Sequence, residues 1–189
     1  MNVQHMLRLG LLTLFGMSAI ALIIHFYSDT VDISRMILGG LSWWNQLLIG
    51  AVYGVVAGLL ARMLVGLKFM EPVRTKYENI FRDFDLDTSQ IWFISFCAGV
   101  GEELLFRGAI QPLLGIPITS VLFVAIHGYL NPLNWRLSIY GVVMTLIIAT
   151  MGWMAQSIGL LTAIVAHIVI DVVLLSALFP SEQEEIENT

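Results

Sequence analysis

Residues 137–155 run for about five helical turns without one charged side chain. A helix needs about 20 apolar residues to cross a bilayer core of about 30 Å. Five other stretches come close to that length: 7–27, 44–67, 91–114, 116–130 and 158–179. The first carries no charge beyond Arg8, and it is too long and too lacking in a small-residue cleavage site to read as a signal peptide. Inside lipid every backbone N–H and C=O must be paired within its own segment, so such stretches are helices. Composition supports this reading. Charged residues make up 12% of the 189 positions, against about 25% in soluble domains. The expected fold is all-α, a polytopic membrane helix bundle of about six transmembrane helices.

Charge and aromatic placement orient the bundle. With a cytoplasmic N-terminus, Arg8, Arg62, Lys68, Arg74, Lys76, Arg82 and Arg136 fall on the inner side and Arg35 outside, as the positive-inside rule favours. Both termini are then cytoplasmic, and the cytoplasmic membrane of a prokaryote is the expected location. Tyr27, Trp43, Trp44, Trp92, Tyr129, Trp135 and Trp153 mark span ends, where amphipathic rings meet headgroups. Between the second and third stretches, Met70, Val73, Tyr77, Ile80, Phe81 and Phe84 recur at helical spacing among charged residues. This predicts an amphipathic helix at the cytoplasmic interface, or a connecting helix packed on the bundle. Residues 1–180 read as one transmembrane domain with a motif-bearing core at 89–179, and 181–189 as an acidic cytoplasmic tail. No basic stripe interleaves with aromatics, so nucleic acid is not an expected partner. The lone Cys97 reads as a small buried hydrophobe.

The apolar spans contain groups that lipid does not tolerate cheaply. An Asp or Arg at a helix centre costs about 2.5–3.5 kcal/mol on insertion scales. Yet Glu102, Glu103, Arg107, His127, His167 and Asp171 all fall within predicted spans. At 1.5 Å per residue, Glu102, His127 and His167 each lie about 14–16 Å into their stretches, near one level. Glu103 and Arg107 are spaced for an ion pair on one helix face. Glu102, turned about 100° from Glu103, is free to point toward the histidines. His167 and Asp171 share a face as well, and a carboxylate one turn from a histidine can fix its tautomer. Gly99, Gly101 and Gly108 permit close helix approach beside the acids.

This set can hydrolyse an amide without a serine or cysteine nucleophile. A carboxylate in an apolar setting suits a general base near neutral pH, a histidine can hold the same water, and a second histidine with its partner can support an oxyanion. No cofactor is required. The same atoms match catalytic zinc ligand types, with Glu102, His127 and His167 as the ligand set, although no H-E-x-x-H motif is present.

Three patterns occur in order on the polar-bearing spans: E-E-x-x-x-R at Glu102, Glu103 and Arg107; F-x-x-x-H at Phe123 and His127; H-x-x-x-D at His167 and Asp171. Together they resemble the motifs of the CPBP family, the CAAX protease and bacteriocin-processing or Abi proteins. The resemblance spans about residues 91–178 and implies a helical intramembrane endopeptidase acting on a peptide or membrane-associated protein. It implies that Glu102 activates water, that His127 positions it, that His167 and Asp171 support the oxyanion, and that Glu103, Arg107 and Phe123 support the site. The prenyl-protein branch generally has Asn at the last position. Asp171 departs from it and cannot donate a hydrogen bond unless protonated, so orienting His167 is its expected role. Some members have been described as metalloproteases, whereas the prenyl-protein branch is regarded as glutamate-dependent and metal-free. Two other readings use the same residues: a non-catalytic bacteriocin-immunity or scaffold protein of this fold, and a small proton-coupled transporter.

Overall fold

A computed structural model describes residues 3–81 and 86–178. Phe84 and the acidic tail at 181–189 lie outside the described residues, which are all-helical with no strand. Helix α1 spans Val3–Tyr27 and contains a π-turn at Thr13–Met17. A short α2 (Ile33–Leu38) precedes α3 (Trp43–Gly66). A 3-10 turn at Lys68–Met70 leads into α4 (Glu71–Phe81). Helix α5 (Thr88–Glu103) passes through a π-turn at Leu104–Ile110 into α6 (Gln111–Ile126), and α7 (Trp135–Ser157) and α8 (Leu160–Leu178) complete the bundle.

Among the described residues, five helices are long and apolar enough to cross a membrane: α1, α3, the continuous run Thr88–Ile126, α7 and α8. The run of 39 residues is too long for one crossing, and it breaks at Gly115, whose φ of 76° and ψ of 166° are not helical. Pro117 follows two positions on and disfavours a helical conformation just before it. The two pieces correspond to the third and fourth apolar stretches of the sequence. The fourth stretch ends sooner than its hydropathy suggests, at Ile126 rather than near Leu130. Gly128 (φ 77°) turns the chain there, with Gly128 N–H donating to Ala125 O (2.9 Å) and Tyr129 N–H to Val124 O (3.3 Å). This is the Schellman pattern that glycine permits at a helix end.

Outward faces of the spans carry exposed apolar side chains such as Phe15, Leu48, Val142 and Leu146, the surface that lipid requires. Inside, α3 lies directly along α8. Gly50, Gly54 and Gly58 form a G-x-x-x-G-x-x-x-G stripe, and a Cβ on Gly54 would stand 2.7 Å from Val169 Cβ and 2.8 Å from Ala166 O. Small residues let helix backbones meet where lipid supplies no hydrophobic drive for association. Buried polar side chains pin neighbouring helices. Tyr53 Oη donates to Ile147 O (2.9 Å), and Gln111 Nε2 to Gly152 O (2.9 Å). Of the amphipathic segment, Met70 and Val73 are buried in the main apolar core, so α4 packs on the bundle through its first turn.

Candidate active site

The site is delivered by four successive pieces of chain. Asp87 starts α5 with a capping box: its carboxylate accepts from Gln90 N–H (2.9 Å), and the Gln90 side chain accepts from Asp87 N–H (3.2 Å). The Ser89 hydroxyl also donates to Asp87 (2.6 Å), and these hydrogen bonds hold its carboxyl below the usual carboxylate range. Helix α5 then carries Glu102 and Glu103 at its last two positions, and Arg107 sits inside the π-turn that follows. Such turns are rare and concentrate at functional sites, since the wider turn re-aims the side chains it carries. Gly99 and Gly101 let α5 close on its neighbours; a Cβ on Gly99 would meet Ile168 of α8, and one on Gly101 would meet Thr13 O of α1.

The inner part of the site is fully enclosed. Glu103 and Arg107 have side chains 0% and 1% exposed, with Arg107 Nε 3.1 Å from Glu103 Oε2. The other oxygen, Glu103 Oε1, lies 2.8 Å from His167 Nδ1. A carboxylate paired with guanidinium only accepts, so His167 donates through Nδ1. Phe123 is the ring around which these groups gather. Arg107 Cζ stands 4.7 Å over its face, His127 stacks on it at 4.5 Å, and His167 meets it edge-on at 5.8 Å.

The outer part is open. His127 side chain is 32% exposed, Asp171 29% and Glu102 12%. His127 Nδ1 donates to Phe123 O (2.7 Å), which turns Nε2 toward Glu102 Oε2 at 3.5 Å. That Glu102 oxygen is buried and has no hydrogen-bond partner among the described residues. Asp171 Oδ2 lies 3.5 Å from His167 Nε2. Glu102, His127, His167 and Asp171 are thus within Coulombic range of one another.

The structure therefore brings together every residue singled out from the motifs. Two features differ from the sequence reading. The carboxylate hydrogen-bonded to His167 is Glu103, not Asp171, so Glu103 does more than pair with Arg107. His127 caps the end of α6 instead of lying within a continuing span. One neighbour was legible only as a span-end marker: Tyr129 stacks beside His127 at 5.9 Å, brought there by the Gly128 turn. Among the described residues, no three His, Cys, Asp or Glu side chains converge as a metal-binding group. Glu103 and Phe123 O occupy the Nδ1 atoms of His167 and His127, which leaves His127 Nε2 facing Glu102 and His167 Nε2 facing Asp171, each at 3.5 Å. Elsewhere, Cys97 is buried in the helix packing opposite Gly10, and His25 donates to Val31 O (2.7 Å) at the end of α1, both structural positions.

Residues 85–173 match the family described as type II CAAX prenyl endopeptidase, Rce1-like. This segment resembles that family. It begins just before α5, takes in all three motifs and ends two residues beyond Asp171. No curated protein and no solved structure matches the chain. The Rce1-like match bears out the CAAX-protease resemblance, implies protease activity and, with the long apolar helices, makes this an integral membrane protein. A peptide or protein substrate reached at the membrane follows from that family in general.

Proposed function

We infer that the protein is an intramembrane endopeptidase in which Glu102 activates water for attack on a peptide bond. The observation that carries this reading is the facing of Glu102 Oε2 and His127 Nε2 at 3.5 Å. His127 spends its ring N–H on Phe123 O, so in the neutral ring Nε2 is an acceptor, as is the carboxylate. Two acceptors turned toward one point suit a water that donates to both.

Chemistry follows from that placement. Glu102 takes a proton as the water oxygen bonds to the scissile carbonyl carbon, and the carbonyl π pair moves onto oxygen. His167, protonated on both ring nitrogens between Glu103 and Asp171, donates from Nε2 to the oxyanion. The oxyanion then collapses, the C–N bond breaks, and Glu102 returns its proton to the leaving amine. The substrate is a peptide or membrane-associated protein, the host a prokaryotic cytoplasmic membrane, and both termini are cytoplasmic. No step requires a metal; were one bound, Glu102 and His127 Nε2 would be its first ligands and it would polarise the carbonyl.

Cleavage of a quenched peptide library by the purified, detergent-solubilised protein tests the reading, comparing wild type with Glu102→Gln, each with and without a chelator. Cleavage by wild type that falls about 10²–10⁴-fold in the variant is expected. Equal cleavage by both removes Glu102 as the base, loss on chelation replaces the metal-free route, and no cleavage by wild type favours the non-catalytic scaffold.

A further inference from the structure

Glu103 is bound through both oxygens, Oε2 by Arg107 at 3.1 Å and Oε1 by His167 at 2.8 Å, and is wholly enclosed. An ion pair that served only to shape its own helix would not need its second oxygen on another helix. Helix α8 approaches α5 closely enough for this contact because Gly99 has no Cβ to meet Ile168. The arrangement matches the logic of an orienting carboxylate on a catalytic imidazole: an acceptor on Nδ1 fixes the tautomer and leaves Nε2 as the working edge.

We propose that Glu103 is a positioning residue for the reaction, accepting from His167 Nδ1–H so that the ring holds a proton on each nitrogen and presents Nε2–H toward Asp171 and the developing oxyanion, while Arg107 holds Glu103. This rests on the protease reading above only for its consequence in turnover. The groups facing His167 are Glu103 and Glu102 from α5, His127 and Phe123 from α6, and Asp171 from its own helix, while Arg107 bears on Glu103. Of these, Glu103 is the one hydrogen-bonded to its ring.

Glu103→Gln makes a sharp test because the two neighbours then compete for one acceptor. Arg107 Nε–H only donates, so the amide oxygen turns to it and the amide NH₂ faces His167 Nδ1. Nδ1 must then accept, so the ring loses its Nδ1 proton and its charge and keeps only Nε2–H. Glu103→Asp retains a carboxylate and keeps the proton on Nδ1. Nitrogen NMR of the full chain, ¹⁵N-labelled at histidine and held in nanodiscs at one neutral pH, reads the protonated ring atom directly. The His167 signals are assigned by their loss in His167→Asn. Peptidase assays on the same three proteins supply kcat and KM.

The expected result is both ring nitrogens protonated in wild type and Glu103→Asp, loss of the Nδ1 proton in Glu103→Gln, and a fall in kcat of about a hundredfold or more with KM little changed. A retained Nδ1 proton in Glu103→Gln overturns the proposal, as does its loss with undiminished kcat. If Glu103→Gln does not fold, loss of the Nδ1 proton in folded Glu103→Asp overturns it instead. Loss of the Nδ1 proton in Glu103→Gln when wild type cleaves nothing sinks the protease reading and leaves the hold of Glu103 on His167 standing.

Discussion

Glu102 and Glu103 are adjacent in sequence and sit in opposite surroundings. Glu103 is closed off, with an arginine on one oxygen and a histidine on the other. Glu102 is partly open, and its buried oxygen has no hydrogen-bond partner among the described residues and faces a histidine at 3.5 Å. A step of about 100° around one helix separates them. The difference teaches how a membrane protein can hold reactive carboxylates. One acid is neutralised by an ion pair and a hydrogen bond and anchors the framework, and its neighbour is left with unused acceptor capacity for chemistry. An ionised group in lipid needs partners, and here the inner acid has two.

Substitutions should separate the two roles. Glu102→Gln should abolish cleavage while leaving stability within about 1 kcal/mol, since no hydrogen bond to its buried oxygen is removed. Arg107→Met should act the other way, destabilising the fold by about 3–5 kcal/mol because Glu103 is left as an uncompensated buried charge. Replacing Glu103 and Arg107 together by Leu should recover most of that stability without recovering turnover. Equilibrium unfolding in mixed micelles, run beside the peptide assay, checks all three. If Glu102→Gln were as destabilising as Arg107→Met, the division into anchoring and reacting acids would collapse.

Much of this division could be read from the chain, and its limits are physical. The i,i+4 spacing of Glu103 and Arg107 announced their pair, and the divergence of Glu102 from Glu103 followed from helix geometry alone. The division at Gly115 showed in the hydropathy, which separates the third stretch from the fourth there. The partner of His167 was not legible. Spacing tells where a side chain points around its own axis but not which helix lies in that direction, so Asp171, on the same helix, looked like the orienting carboxylate. The π-turn from Leu104 also alters the register beyond Glu103 without any signal in residue types. The Gly50, Gly54 and Gly58 stripe did carry a signal, its four-residue spacing, and it marks the contact of α3 with α8 that the spans alone did not reveal.

That stripe supplies a smaller perturbation reaching both acids, because α8 carries His167 and Asp171. At Gly54 a Cβ would stand 2.7 Å from Val169 Cβ and 2.8 Å from Ala166 O, the latter belonging to the residue before His167. Gly54→Val should cost about 1–3 kcal/mol by overpacking, and it should lower kcat in proportion as α8 moves away from Glu103. Gly66→Ala is the control, since a Cβ there meets nothing within 4 Å. Full activity in a destabilised Gly54→Val protein would mean that the position of α8 does not govern the site.

The smallest effect belongs to the start of the same helix. Asp87 caps α5, and hydrogen bonds from the Ser89 hydroxyl and Gln90 N–H hold its carboxyl below the ordinary range. A carboxyl depressed in the folded state contributes stability that is fully present above its unfolded value of about 3.9 and is lost as pH falls through the folded value. Melting curves of wild type should therefore be flat in this contribution near neutrality and decline in acid. Asn caps a helix about as well as Asp but does not titrate there, so Asp87→Asn should keep the helix start and show a shallower decline. The comparison of the two acids predicts one more thing about this variant. Its peptidase activity at neutral pH should match wild type, because a cap exposed to water sets where α5 begins and not how Glu102 and Glu103 divide their partners. An altered kcat in Asp87→Asn would mean that the helix start is coupled to the site, and an unchanged acid slope would remove Asp87 from the acid sensitivity of the fold.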